Sequence, residues 1–199
     1  MTPTGDNIMI ILSSPSGVGK TTITKKLQQK YQNLKISISH TTRYPRSNEI
    51  DGVDYYFTTK KKFEELITKR KFYEYAKIFE NYYGTLKQTV DEISKNFDIL
   101  FDIDWQGTKQ LSKFKNLKLI KIFLITDSKQ ELKKRLLKRD QNTKEEVEKR
   151  FNSFDEDVKH WKDYDYILIN KNLETCFKQI EQILQNHREK YLNFFQKVQ

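Results

Sequence analysis

The run Ser13-Ser14-Pro15-Ser16-Gly17-Val18-Gly19-Lys20-Thr21-Thr22 holds the residue types needed to grip a row of phosphates. Gly17 and Gly19 allow the backbone to turn its N–H groups inward as an anion nest. Lys20 can reach the outer phosphates, and the Thr21 hydroxyl can hold Mg²⁺. The strict pattern G-x-x-x-x-G-K-[ST] fails at one position, because Ser14 stands where its first glycine belongs. The physical requirements survive that change, so the loop predicts a nucleoside triphosphate donor with Mg²⁺. It leaves the acceptor open, since GTPases, ATPases and small-molecule kinases all use such a loop.

Further groups could serve an acceptor. Thr41-Thr42-Arg43-Tyr44-Pro45-Arg46 sets two arginines three apart around a proline. Guanidinium groups match phosphate oxygens two at a time and keep their charge, although such a pair also suits a solvated surface. Tyr55 and the run Asn81-Tyr82-Tyr83-Gly84-Thr85 offer hydroxyl donors, a role that competes with ordinary core packing. Glu74 lies inside the aromatic stretch Phe72-Tyr73-Glu74-Tyr75, where a charge calls for a partner. Asp98, Asp102 and Asp104 flank the apolar run Ile99-Leu100-Phe101. Asp102 and Asp104 fall at its carboxyl end, the end at which α/β sheets bind ligands. Asp102 there could orient Mg²⁺ through water.

These groups need elements to hold them. Ile8–Leu12, Ile99–Phe101 with Ile103, Leu119–Ile125 and Tyr166–Ile169 are apolar runs that suit strands covered on both faces, as in a parallel sheet. Between them lie helical patterns over 21–31, 128–139, 143–161 and 173–195. Ser128 with Glu131 three residues on makes a capping-box pattern. Strand–helix alternation predicts an α/β, doubly wound core with a parallel sheet. The stretch 36–83 breaks the rhythm with short β-prone pieces (Ile36–Ser39, Tyr55–Phe57, Phe72–Tyr75) and a helix near 61–69. It reads as a small mixed insert, and the polar stretch from about 126 to 154 as a second, mobile one.

The composition fits one domain. The chain has 199 residues and 13% aromatics, too many for a disordered chain. With Cys176 as the single cysteine, no internal disulfide can form, which suits a reducing compartment. The longest apolar run is far short of the ~20 residues that span a bilayer, and no signal-like start is present. A soluble, cytoplasmic protein with no membrane partner is expected. The net charge of +10 favours anionic partners. Most of it is lysine scattered along the chain, which does not mark a nucleic-acid site.

The chain resembles the guanylate kinases. The resemblance rests on Ser14 to Thr21, on Ser39-His40-Thr41-Thr42-Arg43-Tyr44-Pro45-Arg46, on 52–57, on Asn81 to Gly84, and on Asp102-Ile103-Asp104-Trp105-Gln106-Gly107. These motifs come in family order and cover roughly residues 8 to 188. The resemblance implies a P-loop three-layer core (about 1–35, 86–125 and 156–199), a GMP-binding insert (about 36–85) and a helical lid (about 126–155). It implies phosphorylation of GMP by ATP with Mg²⁺, no nucleic-acid partner, and dGMP and the oligomeric state left open.

By the same resemblance, Ser14, Pro15, Ser16, Gly17, Val18, Gly19, Lys20, Thr21, Thr22 and Asn170 would bind ATP. Arg43, Arg46, Tyr55 and Tyr83 would hold the GMP phosphate, and Ser39, Glu74, Thr85 and Asp104 would read the guanine. Guanine presents N1–H and an amine to a carboxylate, whereas adenine would leave that carboxylate without its partners. Unpaired buried groups then reject the wrong base by ~1–3 kcal/mol each, more for a charge. Arg135, Arg139 and Arg150 match lid arginines and would join Lys20, Arg43 and Arg46 in catalysis.

The chain departs from the family pattern at Ser14, at Lys138-Arg139-Asp140 in place of a Gly-Arg-Gly, and at Thr126-Asp127-Ser128 in place of a Pro-Pro-Ser. Two other classes compete with this reading: a catalytically dead scaffold domain that binds phosphopeptides, and a nucleic-acid-binding protein. The retained Lys20 and Thr21 argue against the first. The absence of a basic stripe with interleaved aromatics argues against the second.

Overall fold

A computed structural model describes residues 7–138 and 143–196 of the chain. The elements begin with β1 (Met9–Ser13), α1 (Lys20–Lys30), β2 (Leu34–Ile36), β3 (His40–Thr41), β4 (Tyr56–Phe57) and α2 (Lys60–Thr68). They continue with β5 (Phe72–Ile78), β6 (Asn81–Leu86), α3 (Lys87–Ile93), β7 (Asp98–Asp102), α4 (Trp105–Leu111) and β8 (Leu119–Ile125). The last are α5 (Lys129–Leu137), α6 (Lys144–Asn152), α7 (Phe154–Lys159), a 3-10 turn (His160–Asp163), β9 (Tyr166–Ile169) and α8 (Leu173–Gln196).

The strands form a five-stranded sheet in the order β2-β7-β1-β8-β9 and a four-stranded sheet in the order β4-β3-β6-β5. In the larger sheet β2 is parallel to β7, and β8 is parallel to β9. Parallel neighbours need crossover connections, which the intervening helices supply. In the smaller sheet β3 is parallel to β4 and antiparallel to β6, which is also antiparallel to β5. The α/β class with a mostly parallel central sheet is the expected one. The apolar runs form its centre: Ile10, Ile11 and Leu12 of β1 and Ile99, Leu100 and Phe101 of β7 are fully buried.

The chain divides into two compact units. The first takes residues 7–11 and Gln32–Leu119, with the small sheet, β2 and β7. The second takes Leu12–Tyr31 and residues 120–196, with the glycine-bearing loop, α1, β8, β9 and the later helices. In the second unit α8 is tied to α1 by the ion pair of Lys26 with Glu174 and by Lys30 with Glu181 at 2.5 Å. The Tyr31 hydroxyl also donates to Glu181 at 2.6 Å.

Three expectations are corrected. The β-prone piece 36–39 does not belong wholly to the insert: Leu34–Ile36 is an edge strand of the larger sheet, where Leu34 faces Asp98 in the register. The helix expected over 143–161 is divided. Ser153 Oγ donates to the Arg150 carbonyl, a local bond that competes with a straight ladder, and the chain then tightens into the 3-10 turn. Finally, β9 is not covered on both faces. It lies at the sheet edge, and Ile167 and Ile169 are exposed.

Candidate active site

The second unit builds a glycine loop whose shape suits an anion. Gly17 and Gly19 adopt positive φ of 92° and 104°, a region that L side chains rarely enter. Ser14, the departure from the glycine pattern, is not among the positive-φ residues, so its side chain costs no strain there. Helix α1 starts at Lys20 with no side-chain cap and no acidic residue in its first turn. Its first N–H groups and its positive dipole end therefore suit an anion. Thr21 and Thr22 are exposed on that turn.

Helix α5 is seated against this loop. Ser128 Oγ accepts from the Glu131 N–H at 3.2 Å, as the capping pattern predicted. The Glu131 carboxylate itself receives Arg135 Nε at 2.9 Å, and Arg135 Nη1 donates to the Val18 carbonyl at 3.1 Å. A Cβ at Gly17 would fall 2.8 Å from Leu136 Cδ2 and 3.1 Å from Leu132 Cδ1, so the loop's glycine permits this approach. From α6, Arg150 Nη1 donates to Ser16 Oγ at 2.7 Å. Asn170 Nδ2 donates to the Val18 carbonyl at 2.8 Å. The expected lid residue Arg139, with Asp140, lies outside the described residues.

The first unit builds two polar clusters. In one, Arg43 Nη2 donates to Glu49 Oε1 at 2.9 Å, and Arg46 Nη1 lies 3.6 Å from the same oxygen. Glu49 Oε2 also accepts from the Arg46 N–H at 2.9 Å. The Arg43 guanidinium lies 5.4 Å from the centre of the Tyr55 ring and 5.8 Å from that of Phe57, and Tyr55 meets Tyr83 edge-on at 6.0 Å. All four expected phosphate ligands are thus gathered around Arg43 and Glu49. Burial would lower the Arg43 pKa, but the bond to Glu49 and the neighbouring Tyr83 outweigh it and raise it. Burial pushes the Tyr55 hydroxyl well above its ordinary value, with Asp102 adding to the shift, so it stays protonated as a donor.

Glu49 was not singled out in the sequence. The signal was available: a carboxylate three residues beyond Arg46 in the same polar run. Burial pushes its pKa up, but the Arg43 bond and the Arg46 N–H outweigh burial and hold it below the ordinary range. A depressed folded-state pKa means stabilisation that is complete above the unfolded value, about 4.3, and is lost as pH falls through the folded one. Glu49→Gln should therefore lower the melting temperature at neutral pH, with the gap to the parent closing as the pH drops below about 4. Melting curves at both pH values check this, and a gap that persists unchanged in acid would refute it.

The other cluster is buried and polar. In the β5–β6 register Glu74 stands directly opposite Thr85, and Ser39 Oγ lies 3.4 Å from Thr85 Oγ1. Glu74 shares a buried face of β5 with Ala76, while the register shift between Phe72 and Glu74 turns Phe72 to the other face, where its ring stacks on Phe63 at 4.5 Å. Ser39, Glu74 and Thr85 are 8%, 3% and 0% exposed. Gly84 lets the strands close up, since a Cβ there would lie 2.9 Å from Tyr75 Cβ and 3.0 Å from Phe63 Cζ. Asp104 caps α4, its Oδ1 accepting from the Gly107 N–H at 2.9 Å, and Oδ2 accepts from Gln106 Nε2 at 3.2 Å. Gly107 itself backs onto Glu74, a closeness that the sequence did not reveal.

A phosphate cradle with two arginines on it, together with a guanidinium pair and a buried carboxylate–hydroxyl cluster, defines a nucleotide phosphotransferase. The family model described as guanylate kinase matches residues 7–187. The guanylate kinase of Paramagnetospirillum magneticum is 43% identical over 184 residues, covering 92% of this chain and 86% of that protein. That of Rickettsia felis is 42% identical, covering 96% and 99%. The crystal structure of guanylate kinase from Anaplasma phagocytophilum superposes with a TM-score of 0.75 at 28% identity, covering 92% of this chain and 86% of that one. The chain belongs to the guanylate kinase family, and its activity is the ATP-dependent phosphorylation of GMP to GDP.

Among the described residues no helix is long and apolar enough to cross a membrane. Nor do three or more His, Cys, Asp and Glu side chains group there to hold a metal ion.

Proposed function

We propose that the two units divide the substrates between them, the loop 14–22 taking ATP and the small-sheet clusters taking GMP. Arg43, Arg46, Tyr55 and Tyr83 hold the GMP phosphate, with Glu49 keeping the two guanidinium groups in place. Ser39, Glu74, Thr85 and Asp104 read the guanine, Glu74 accepting from N1–H and the 2-amine. The observation that carries this reading is the buried placement of Glu74 opposite Thr85, whose hydroxyl lies 3.4 Å from that of Ser39, because a carboxylate among buried hydroxyls suits a ligand that brings it donors.

In the reaction a GMP phosphate oxygen forms the new bond to the γ-phosphorus of ATP, and the bond to the β–γ bridging oxygen breaks to leave ADP. Little covalent work falls to the protein, so positioning and charge stabilisation dominate. Lys20, Arg43, Arg46, Arg135 and Arg150 supply positive charge, and Arg139 is assigned to the same group. The Thr21 hydroxyl would hold Mg²⁺, and Asp102 would orient it through water. Mg²⁺ bound with ATP offsets phosphate charge. Lid closure excludes water, which would otherwise take the phosphoryl group. The cytoplasm, with its free nucleotides, is the proposed place of work.

ADP release measured with ATP and Mg²⁺ against GMP, AMP, CMP, UMP and no acceptor tests the reading. Release with GMP alone is expected. Release with AMP would overturn the Glu74 assignment, and equal release without an acceptor would overturn the two-substrate division.

A further inference from the structure

We propose that Asn170 is a positioning residue of the phosphate loop: its side-chain amide holds the Val18 carbonyl and so fixes the peptide that aims the Gly19 N–H at the donor phosphates. Asn170 follows β9, its main-chain N–H donates to the Ile125 carbonyl at 2.8 Å, and it is 3% exposed. Its backbone is therefore an extension of the sheet, and its side chain starts from a rigid base. From there Nδ2 donates to the Val18 carbonyl at 2.8 Å. The loop approaches that amide as closely as a glycine allows, because a Cβ at Gly19 would sit 2.8 Å from the same Nδ2.

The Val18–Gly19 peptide is planar and trans, so its C=O and N–H point in opposite directions. Pinning the carbonyl to Asn170 aims the Gly19 N–H away from Asn170, toward the anion side of the loop. The anchor matters because the loop carries glycines on both sides of Val18, each with positive φ, and glycine alone would let this peptide turn over. Arg135 Nη1 takes the same carbonyl at 3.1 Å, which its two lone pairs accommodate. Asn170 is the uncharged half of this clamp and stands on the sheet. Its amide nitrogen serves the loop rather than the adenine base.

This inference rests on the reading that the loop holds the donor's phosphates. Asn170→Ala and Asn170→Asp are compared with the parent as full chains in steady-state assays, with melting curves alongside. The aspartate keeps the shape but turns an acceptor toward the Val18 carbonyl, so it carries the test if the alanine variant fails to fold. Inorganic tripolyphosphate, a donor mimic without a base, is the competing ligand.

The expected result is a rise of about tenfold in both KM for ATP and Ki for tripolyphosphate, the size of one hydrogen bond. KM for GMP stays at the parent value. A rise in KM for ATP with Ki for tripolyphosphate unchanged would assign Asn170 to the base and overturn the proposal. Parent-like values of both would also overturn it. If tripolyphosphate does not inhibit the parent protein, the donor-loop reading fails, and the inference falls with it.

Discussion

Alanine in place of Lys20 is expected to lower kcat for GDP formation by about 10²–10³-fold, the usual cost of removing one preorganised charge from a developing one. The geometry around Lys20 makes it hard to replace. It is the first residue of α1, so its backbone N–H belongs to the uncapped end of the helix while its side chain can follow the phosphates outward. The first turn contains no other cation and no acid, and Thr21 and Thr22 bring hydroxyls only. The arginines on the loop are already engaged in part by protein oxygens, Arg135 with the Val18 carbonyl and Arg150 with Ser16. Steady-state rates measure the loss, and calorimetry with GMP alone should show parent-like binding. Near-parent turnover in Lys20→Ala would remove the loop from the reaction.

The donor loop was legible in the sequence because its chemistry is local. Glycines, lysine and threonine sit within one short stretch, and a buried strand and a helix flank it as the sequence predicts. The strands β1, β7 and β8 were legible for a related reason, since a strand buried on both faces must be apolar throughout. The acceptor side was legible as residue types only. Asn81–Leu86 carries a glycine and no alternation, so β6 was not foreseen, yet its register is what sets Thr85 opposite Glu74. Helices α3 and α4 span seven residues each, too short to show a period. The Arg43–Glu49–Arg46 link exists because the chain turns back on itself after Pro45, which no periodicity encodes. Asn170 carried only a family role in the sequence, and its bond to Val18 spans 152 positions.

Gly107→Ala should raise KM for GMP by about 10²-fold, the scale of an ångström's misplacement at a reactive site, although Gly107 is given no contact with the nucleotide. Two effects of this substitution oppose each other. Gly107 lies within α4, where alanine is favoured over glycine by about 1 kcal/mol, so helix propensity alone predicts a more stable protein. The new Cβ would, however, fall 2.6 Å from Glu74 Oε2 and 3.1 Å from Glu74 Cδ, with Ile103 Cβ at 3.3 Å. The nearest obstacle is the far end of a side chain, and it can move while the backbone stays. The fold should therefore survive with an unchanged or higher melting temperature, and the displaced part is the carboxylate assigned to the guanine. Because Glu74 is held opposite Thr85 inside the sheet, it has few other positions that keep both donors of guanine in reach. Glu74→Gln should itself cost more, since two hydrogen bonds to a charge contribute ~1.5–3 kcal/mol each. Gly107→Ala added to Glu74→Gln should then cost much less than Gly107→Ala alone, because both act through one group. Steady-state KM values for the two single variants and the double variant decide the matter. Full additivity, or a lowered melting temperature in Gly107→Ala, would show that the glycine serves the helix packing and not the aim of Glu74.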